Sequence, residues 1–561
     1  MGATISALYT ILSRPAADPK DEFDLVIIGA GPTGLLSAVL ARQLDLRVLI
    51  LDAKEGPLKV GGADALTART QQYLEVASNF PYEASKSSKQ SSELLLKLLN
   101  NGIRCNTSTT YADGDFTSRQ PTWWNSLPHT FYNTLLMIGQ PYLERHLASY
   151  LDVPIHYSEP ALSVSYSPVR NSDKGTQFAI VQTENRTIKA KYCLAADGAK
   201  SFVRNELGIE WEGTKPNMVW AVLDCWIDTT FPLSKEIVTL QIDGQSRMAW
   251  IPRERGMQRF YILLDGEITQ EKAEAEVRRH MAPHTVKFTH VEWFSRFEIK
   301  ERIASTFLYP IPAGPYIFAG DSAHVHSVNG GQGMNTGLSD AFSLIWRLSL
   351  LIKAPASLPA STKSAILGSY DIERRSTAKE VIDVAAKLVR STTSEAKYYV
   401  ELIEKNAGFI TGMGVTYSGL GSACVREGER GVFKGGERCP DLWLQDQDGE
   451  ASRLYQKFRY GRYMVLAIGH AADVDTDSFD TETVGVMRIQ PLKALGVGVE
   501  MKREGGEVNA ESCWPDTYGC SYVKVGESFL VLVRPDCYIE CVGKADDVLG
   551  YFRERYNHLS T

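Results

Sequence analysis

The stretch Asp24-Leu25-Val26-Ile27-Ile28-Gly29-Ala30-Gly31-Pro32-Thr33-Gly34 decides how the chain is read. Its apolar run through Ile28 is what a strand buried on both faces needs. The glycines at 29, 31 and 34 then stand where that strand turns into a helix, predicted over 35–44. A second strand at 47–51, closed by Asp52, completes a β-turn-α-β unit in about thirty residues. Gly29 permits the tight turn, Gly31 lets a pyrophosphate approach the backbone, and Gly34 lets helix pack on strand. The helix start, with Pro32 and Thr33, adds partial positive charge toward phosphates. Asp52 lies 18 positions beyond Gly34 and is followed by Ala53 and Lys54; its carboxylate can accept from ribose hydroxyls. A carboxylate suits a free 2′-hydroxyl, which points to the adenosine of FAD or NAD rather than NADP. A plain strand-helix turn without a ligand is the competing reading.

Around this unit the 561 residues have ordinary globular composition, 44% hydrophobic and 23% charged, which argues against disorder or a fibrous repeat. Lys plus Arg number 60 against 67 Asp plus Glu, a net charge of −7 without a basic stripe, so nucleic acid is not an expected partner. Nine cysteines, at 105, 193, 225, 424, 439, 513, 520, 537 and 541, form no CxxC pair and no zinc pattern. They read as reduced thiols of a cytoplasmic protein. Cys537 and Cys541, at i and i+4 of one predicted strand, would lie about 13 Å apart, too far for a disulfide unless the chain turns between them. No stretch approaches the ~18 apolar residues of a membrane span. Residues 1–21 read as a flexible Pro-rich leader, in which Gly2 fits a loose myristoylation pattern.

Two later segments repeat the strand-then-glycine theme. Ala195-Ala196-Asp197-Gly198-Ala199-Lys200-Ser201 ends one strand, and Ala319-Gly320-Asp321-Ser322-Ala323-His324 ends another. Gly330-Gly331-Gln332-Gly333-Met334-Asn335 opens the helix after the second. With the first fingerprint, these segments resemble the group A flavoprotein monooxygenases, FAD enzymes of the para-hydroxybenzoate hydroxylase type. The resemblance makes physical sense: Asp321 at a strand end can hold the ribityl chain, and the backbone NH groups of the Gly-rich helix start can meet the pyrimidine edge of the reduced, anionic flavin.

Further segments resemble the fungal phenol hydroxylase branch of that group: Gly62-Ala63-Asp64-Ala65-Leu66-Thr67-Ala68-Arg69-Thr70, Ile251-Pro252-Arg253-Glu254, Arg259-Phe260-Tyr261, His324-Val325-His326-Ser327 and Tyr370-Asp371-Ile372-Glu373-Arg374-Arg375. The resemblance implies an α/β fold with a Rossmann-like FAD-binding domain built from 22–100, 131–205 and 305–405. An antiparallel substrate sheet from 101–130 and 206–304 would be inserted into it. A linker at 406–429 and a thioredoxin-like α/β domain at 430–561 would follow, the latter suggested by Gly436-Glu437-Arg438-Cys439-Pro440-Asp441 and Val533-Arg534-Pro535-Asp536.

By the same resemblance, Asp64, Arg253 and Tyr261 border substrate and flavin, with Asp64 and Tyr261 handling a phenolic proton. Arg69, Gln140, Asp197, Asp321, Gly331, Gln332, Gly333, Met334 and Asn335 join the first fingerprint as FAD contacts. Competing readings are a solvated surface charge for Arg253, a core tyrosine for Tyr261 and a turn residue for Asp64. His324 and His326 have no carboxylate or Cys at ligand spacing, so no metal is expected. The implied activity takes NAD(P)H as co-substrate and O2, and hydroxylates an aromatic small molecule through a C4a-hydroperoxyflavin; a homodimer is implied as well. Val328 stands where the phenol hydroxylases have proline, which puts phenol itself in question as substrate. Trp123, Trp124, Phe131 and Tyr132 could line a roomy pocket for a polycyclic ring or could simply be core. Baeyer-Villiger or epoxidation chemistry with the same cofactor, and a flavin-bearing scaffold protein, remain as alternatives. The missing CxxC favours an interaction role for the tail over thiol redox chemistry.

Overall fold

The computed structural model describes residues 22–79, 93–120, 127, 129–167, 177–216, 218–232, 236–327, 331–391, 396–445, 451–469, 479–491, 510–513 and 527–556. The leader 1–21 with Gly2, Trp123, Trp124, Val328, Asn329 and Gly330 lie outside the described residues.

β1 (Glu22–Ile28) buries Leu25, Val26 and Ile27 completely and runs into the glycine turn. α1 (Pro32–Gln43) leads back to β2 (Val48–Leu51), which pairs parallel with β1. After α2 (Ala68–Ser78) the chain leaves this sheet, and β3 (Ser108–Ala112) belongs to a second one. α3 (Gln140–Ala148) precedes the return as β4 (Thr187–Ala195), parallel to β1 on its other side. A second excursion supplies β5 (Val219–Thr229), β6 (Ile237–Ile242), β7 (Gln245–Pro252), β8 (Gln258–Leu263) and β9 (Val286–Glu298). β10 (Tyr316–Phe318) then pairs parallel with β4 and is followed by α4 (Gln332–Lys353) and α5 (Ala360–Ser391).

The parallel core therefore has the order β10-β4-β1-β2, continued by the short parallel strand Ile155–His156 beside β2, and its strands all end at one edge. The second sheet has the order β9-β5-β8-β7-β6-β3, ending on Asp115–Gln120. It is antiparallel except where β6 meets β3. Its own core, with Leu223, Trp250, Phe260 and Ile262, is separate from that of the parallel sheet.

The structure moves several expected boundaries. Ile103–Cys105 pairs with Leu135–Met137, not with the inserted sheet, because Cys105 and Met137 share a small apolar cluster with Ala65. Trp211–Thr214 and Glu301–Ala304 pair with each other and reach His324–Val325 in a three-stranded sheet; Ile303 and Ala304 bury into the main core. The segment 406–429 is not a linker. Ala407, Ile410, Met413, Tyr417 and Cys424 are buried there, and Thr411 O accepts from Arg69 N at 3.1 Å.

The C-terminal unit is not independent either, since one apolar core runs from Leu25 to Tyr556. A buried ion network crosses the junction. Arg534 donates through Nη1 and Nη2 to the two Glu373 carboxylate oxygens at 2.7 and 3.0 Å, and Arg347 Nη2 donates to the same carboxylate at 2.7 Å. Arg534 also donates to Asp536 at 2.9 and 2.7 Å. Tyr460 Oη donates to Phe342 O at 2.9 Å and accepts from Trp346 N at 3.0 Å. Burying such charges is tolerable only with every partner in place, which makes this packing specific. Cys537 and Cys541 do not share a strand: Cys537 occupies a turn at φ +64°, before the strand Ile539–Gly543. Among the described residues no helix is long and apolar enough to cross a membrane.

Two consequences can be measured. A Cβ on Gly34 would stand 1.9 Å from Gly29 O, a backbone atom that cannot move aside. Gly34→Ala should therefore lower stability by about 1–3 kcal/mol even without cofactor, read as a lower urea midpoint. Glu373→Leu leaves Arg347 and Arg534 buried without their shared carboxylate, and a loss of about 3–5 kcal/mol is expected. Circular dichroism should show both the N-terminal and C-terminal units melting earlier; an unchanged melting curve would contradict the network's role.

Candidate functional site

The glycine turn follows from the crowding at the strand ends. Gly29 has φ +109°, and a Cβ there would lie 2.2 Å from Ala196 O at the end of β4. Gly320 and Gly337 face Thr33 in the same way, with added Cβ atoms 2.7 and 2.4 Å from its Oγ1. Gly31, by contrast, has nothing within 4 Å of an added Cβ. It borders a cavity of about 700 Å³ between the parallel strand ends and the inserted sheet.

The starts of α1 and α4 both border this cavity through their N-caps, Gly31 and Gly331, and neither helix has a side-chain cap. Their first-turn NH groups thus give two positively polarised ends at one space. Asp321, Gln332, Gly333 and Met334 complete this wall. Gln140 also lines the cavity; its Oε1 accepts from Ala63 N at 2.9 Å and its Nε2 donates to Glu144 at 2.8 Å.

The opposite wall comes from β5, β8 and β9. Arg259 and Tyr261 lie two apart on β8 and so share a face. Arg259 grips Asp224 through a two-pronged pair, both contacts at 2.6 Å, and donates through Nη1 to Gly62 O at 2.5 Å. Its Nη1 also lies 3.5 Å from Asp64 Oδ2. Tyr261 Oη donates to Asp64 Oδ2 at 2.9 Å. Burial and the neighbouring Asp64 push the Tyr261 phenol above its ordinary range, with Arg259 opposing. Trp293 closes the side, packed against Gly61, where a Cβ would approach its indole to 2.4 Å, with the Arg259 guanidinium 5.3 Å from its ring centre.

Of the expected residues, Gly31, Pro32, Thr33, Asp64, Gln140, Tyr261, Asp321, Gly331, Gln332, Gly333 and Met334 line this one cavity. Gly29 and Gly34 shape the turn from behind. Asp52 anchors it: Oδ2 accepts from Ala30 N and Oδ1 from Lys54 N, both at 2.7 Å, while Ala53 and Lys54 are exposed. Asp197 stands behind the wall, its Oδ2 accepting from Val203 N at 3.1 Å and its buried Oδ1 without a partner.

Three expected residues are elsewhere engaged. Arg253 borders a second cavity of about 440 Å³ and pairs with Glu254 and Asp224, whereas Arg259, two residues before Tyr261, and Arg296 line the main one. Arg69 is buried against the C-terminal unit, donating to Tyr455 Oη at 2.8 Å and Asp536 O at 3.1 Å. Asn335 accepts from Thr67 N and Thr70 Oγ1 and donates to Ala65 O and Gly331 O, which clamps the Asp64 segment to α4. Phe131 and Tyr132 face the C-terminal unit: Phe131 meets Trp443, and Arg453 lies over both rings. They do not line the cavity. Arg259 stood in the sequence only as part of Arg259-Phe260-Tyr261, with no role of its own, although its i, i+2 spacing from Tyr261 was a usable signal; nothing local pointed to Asp224 or Trp293.

The donor set suits a dinucleotide with a flavin ring. Uncapped helix starts offer NH groups to phosphates and to an anionic ring edge, and Gly31 leaves room for close approach. The sequence profile described as "FAD binding domain" matches residues 22–385. The chain belongs to this FAD-binding family. Curated relatives include 3-hydroxybenzoate 4-monooxygenase of Comamonas testosteroni, 28% identical over 447 residues, covering 71% of this chain and 66% of the relative. The phenol 2-monooxygenase fsqG of Aspergillus fumigatus is 27% identical over 422 residues, covering 72% and 66%. The FAD-dependent monooxygenase ankC of Aspergillus thermomutatus is 24% identical, covering 94% of this chain and 96% of the relative. In fold, the chain matches aklavinone-11 hydroxylase, solved with FAD and aklavinone, at a TM-score of 0.71 and 18% identity, covering 95% and 99%.

Gly31→Val separates binding from folding, because open space receives the new side chain at an ordinary backbone conformation. The expected result is a melting temperature of the apoprotein within a few degrees of wild type and at least tenfold weaker FAD binding, about 1.4 kcal/mol or more, in a flavin fluorescence titration.

Proposed function

We propose that this protein is an NAD(P)H- and O2-dependent FAD monooxygenase that hydroxylates a phenolic or polyketide-like aromatic ring. The observation that carries the reading is the Asp64–Tyr261–Arg259 group, which faces the uncapped starts of α1 and α4 across one cavity. Monooxygenase names among the relatives support the same reaction class. Bound FAD supplies the electron transfer and oxygen activation that no side chain provides.

The chain's own part is to hold the ring, manage its proton and keep water out. Tyr261 donates its own proton to Asp64 and accepts from Arg259 Nη1 at 3.3 Å, which leaves one lone pair on its oxygen to accept from a substrate hydroxyl. As that hydroxyl is drawn toward Tyr261, the Tyr261 proton moves toward Asp64, and the ring gains electron density where oxygen must add. Arg259, held by Asp224 and by Gly62 O, keeps positive charge beside the pair and limits the cost of the developing anion. Trp293, Val222 and Phe297 give this wall apolar surface that excludes water.

The finer reading is a phenol hydroxylase-like enzyme with a thioredoxin-like tail. The strand Tyr463–Ile468 runs parallel to Val484–Pro491 and antiparallel to Phe529–Val533, and a helix at Ala545–Tyr556 closes the unit, a pattern that supports it.

The test is NAD(P)H consumption by the FAD-loaded protein over a panel of phenols and polycyclic aromatics, with products weighed for oxygen from 18O2. Consumption that rises with an aromatic and a product one labelled oxygen heavier are expected; no stimulation by any of them would end the hydroxylase reading. Tyr261→Phe, with flavin content matched, should slow coupled hydroxylation about a hundredfold. A wild-type rate would remove Tyr261 from the proton path.

A further inference from the structure

His324 and His326 stand two residues apart and have different fates. His324 Nε2 lies 2.8 Å from Asp340 Oδ2, which also accepts from Gly320 N at 2.9 Å, while Asp340 Oδ1 accepts from Arg374 Nε at 2.7 Å. That imidazole braces the Gly320 turn. His326 is 8% exposed and lines the 700 Å³ cavity. Its Nδ1 is 2.8 Å from Ser327 O, and its buried Nε2 has no hydrogen-bond partner.

This arrangement determines the tautomer. A carbonyl oxygen only accepts, so Nδ1 carries the proton, and in a neutral imidazole Nε2 is then a bare lone pair. Burial pushes the group down to about 4, with the Ser327 carbonyl opposing, so the ring is neutral near pH 7. A buried acceptor left unmet is costly. A metal is not the natural complement, because among the described residues no group of three His, Cys, Asp or Glu could hold one.

We propose that His326 Nε2 accepts a hydrogen bond from an N–H or O–H donor on a planar ring held in the cavity, and so positions that ring. The inference rests on the FAD monooxygenase reading, which supplies two rings with such donors: the flavin, through its imide N–H, and the hydroxylated aromatic substrate. Position supports a ring ligand, since a Cβ added to Gly333, in the first turn of α4, would be 3.9 Å from the His326 Nε2. The donor is thereby met at the same helix start that offers NH groups to a ring edge. His326 is a positioning residue in the flavin case and a substrate-contacting one in the other.

The full chain with FAD tests this without relying on turnover. His326→Phe keeps a ring and removes the acceptor, His326→Leu serves if that variant does not fold, and His326→Gln restores an accepting oxygen. FAD affinity is read by flavin fluorescence, and affinities for a set of phenols and their methyl ethers by the absorbance change of bound flavin. With the flavin as donor, His326→Phe weakens FAD about tenfold and His326→Gln recovers part of it. With the substrate as donor, FAD affinity is unchanged and each phenol weakens about tenfold while its methyl ether does not. FAD and phenol affinities within twofold of wild type in a folded His326→Phe or His326→Leu protein overturn the proposal. If wild-type protein binds FAD but none of the aromatics, the hydroxylase reading has failed, and the FAD measurement still decides the role of His326.

Discussion

Backbone meets backbone where β1, β4 and β10 end. Gly29 lies against the Ala196 carbonyl, Gly34 against the Gly29 carbonyl, and Gly320 and Gly337 against Thr33, each at a distance that no Cβ could share. The segments that follow these strands thus converge with only the Thr33 side chain between them, and the starts of α1 and α4 are drawn to one space. Everything that can recognise a dinucleotide here, from the open face at Gly31 to the uncapped NH groups, depends on that contact. The constraint is steric, so it operates in the apoprotein as well as in the loaded one.

The other half of the site reaches the strand ends from a sheet with its own core. Its alignment depends on Arg259, which spans the gap: Asp224 holds the guanidinium from the inserted sheet, while Gly62 O accepts from it on the FAD side. Asn335 then ties the Asp64 segment to α4. Asp64 and Tyr261, 197 positions apart in the chain, are brought to 2.9 Å by these two clamps. The geometry of the Tyr261–Asp64 hydrogen bond is therefore a property of the domain junction rather than of either domain.

The C-terminal unit is bound into the same body. Arg534, Glu373, Arg347 and Asp536 form a fully buried cluster, and Arg453 adds contacts to Glu75 and Asp441 from the same unit. Arg69 belongs to this junction, although it follows Asp64 closely in sequence. On the helix that starts at Ala68 it turns toward Tyr455, while the short strand Ala65–Leu66 leaves Asp64 at the cavity. A five-residue separation was too short for a motif to reveal that the two side chains serve different parts of the molecule.

Local chemistry alone made the glycine fingerprint, the later Asp-Gly and Gly-Asp turns and the alternating strands legible, because each depends on backbone conformation or on a period of two or 3.6 residues. That was enough for a dinucleotide-binding unit and an antiparallel sheet; the family resemblance supplied the FAD-type fold and placed Asp64, Gln140 and Tyr261 among the eleven expected residues that share one cavity. Tertiary structure decided what depends on partners distant in the chain. It assigned Arg259 rather than Arg253 to the site, committed Arg69 and Asn335 to clamps, and gave His324 a carboxylate but left His326 with a bare nitrogen. A charged or polar side chain takes its role from whichever partner desolvation forces it to find, and that partner is set by packing rather than by spacing.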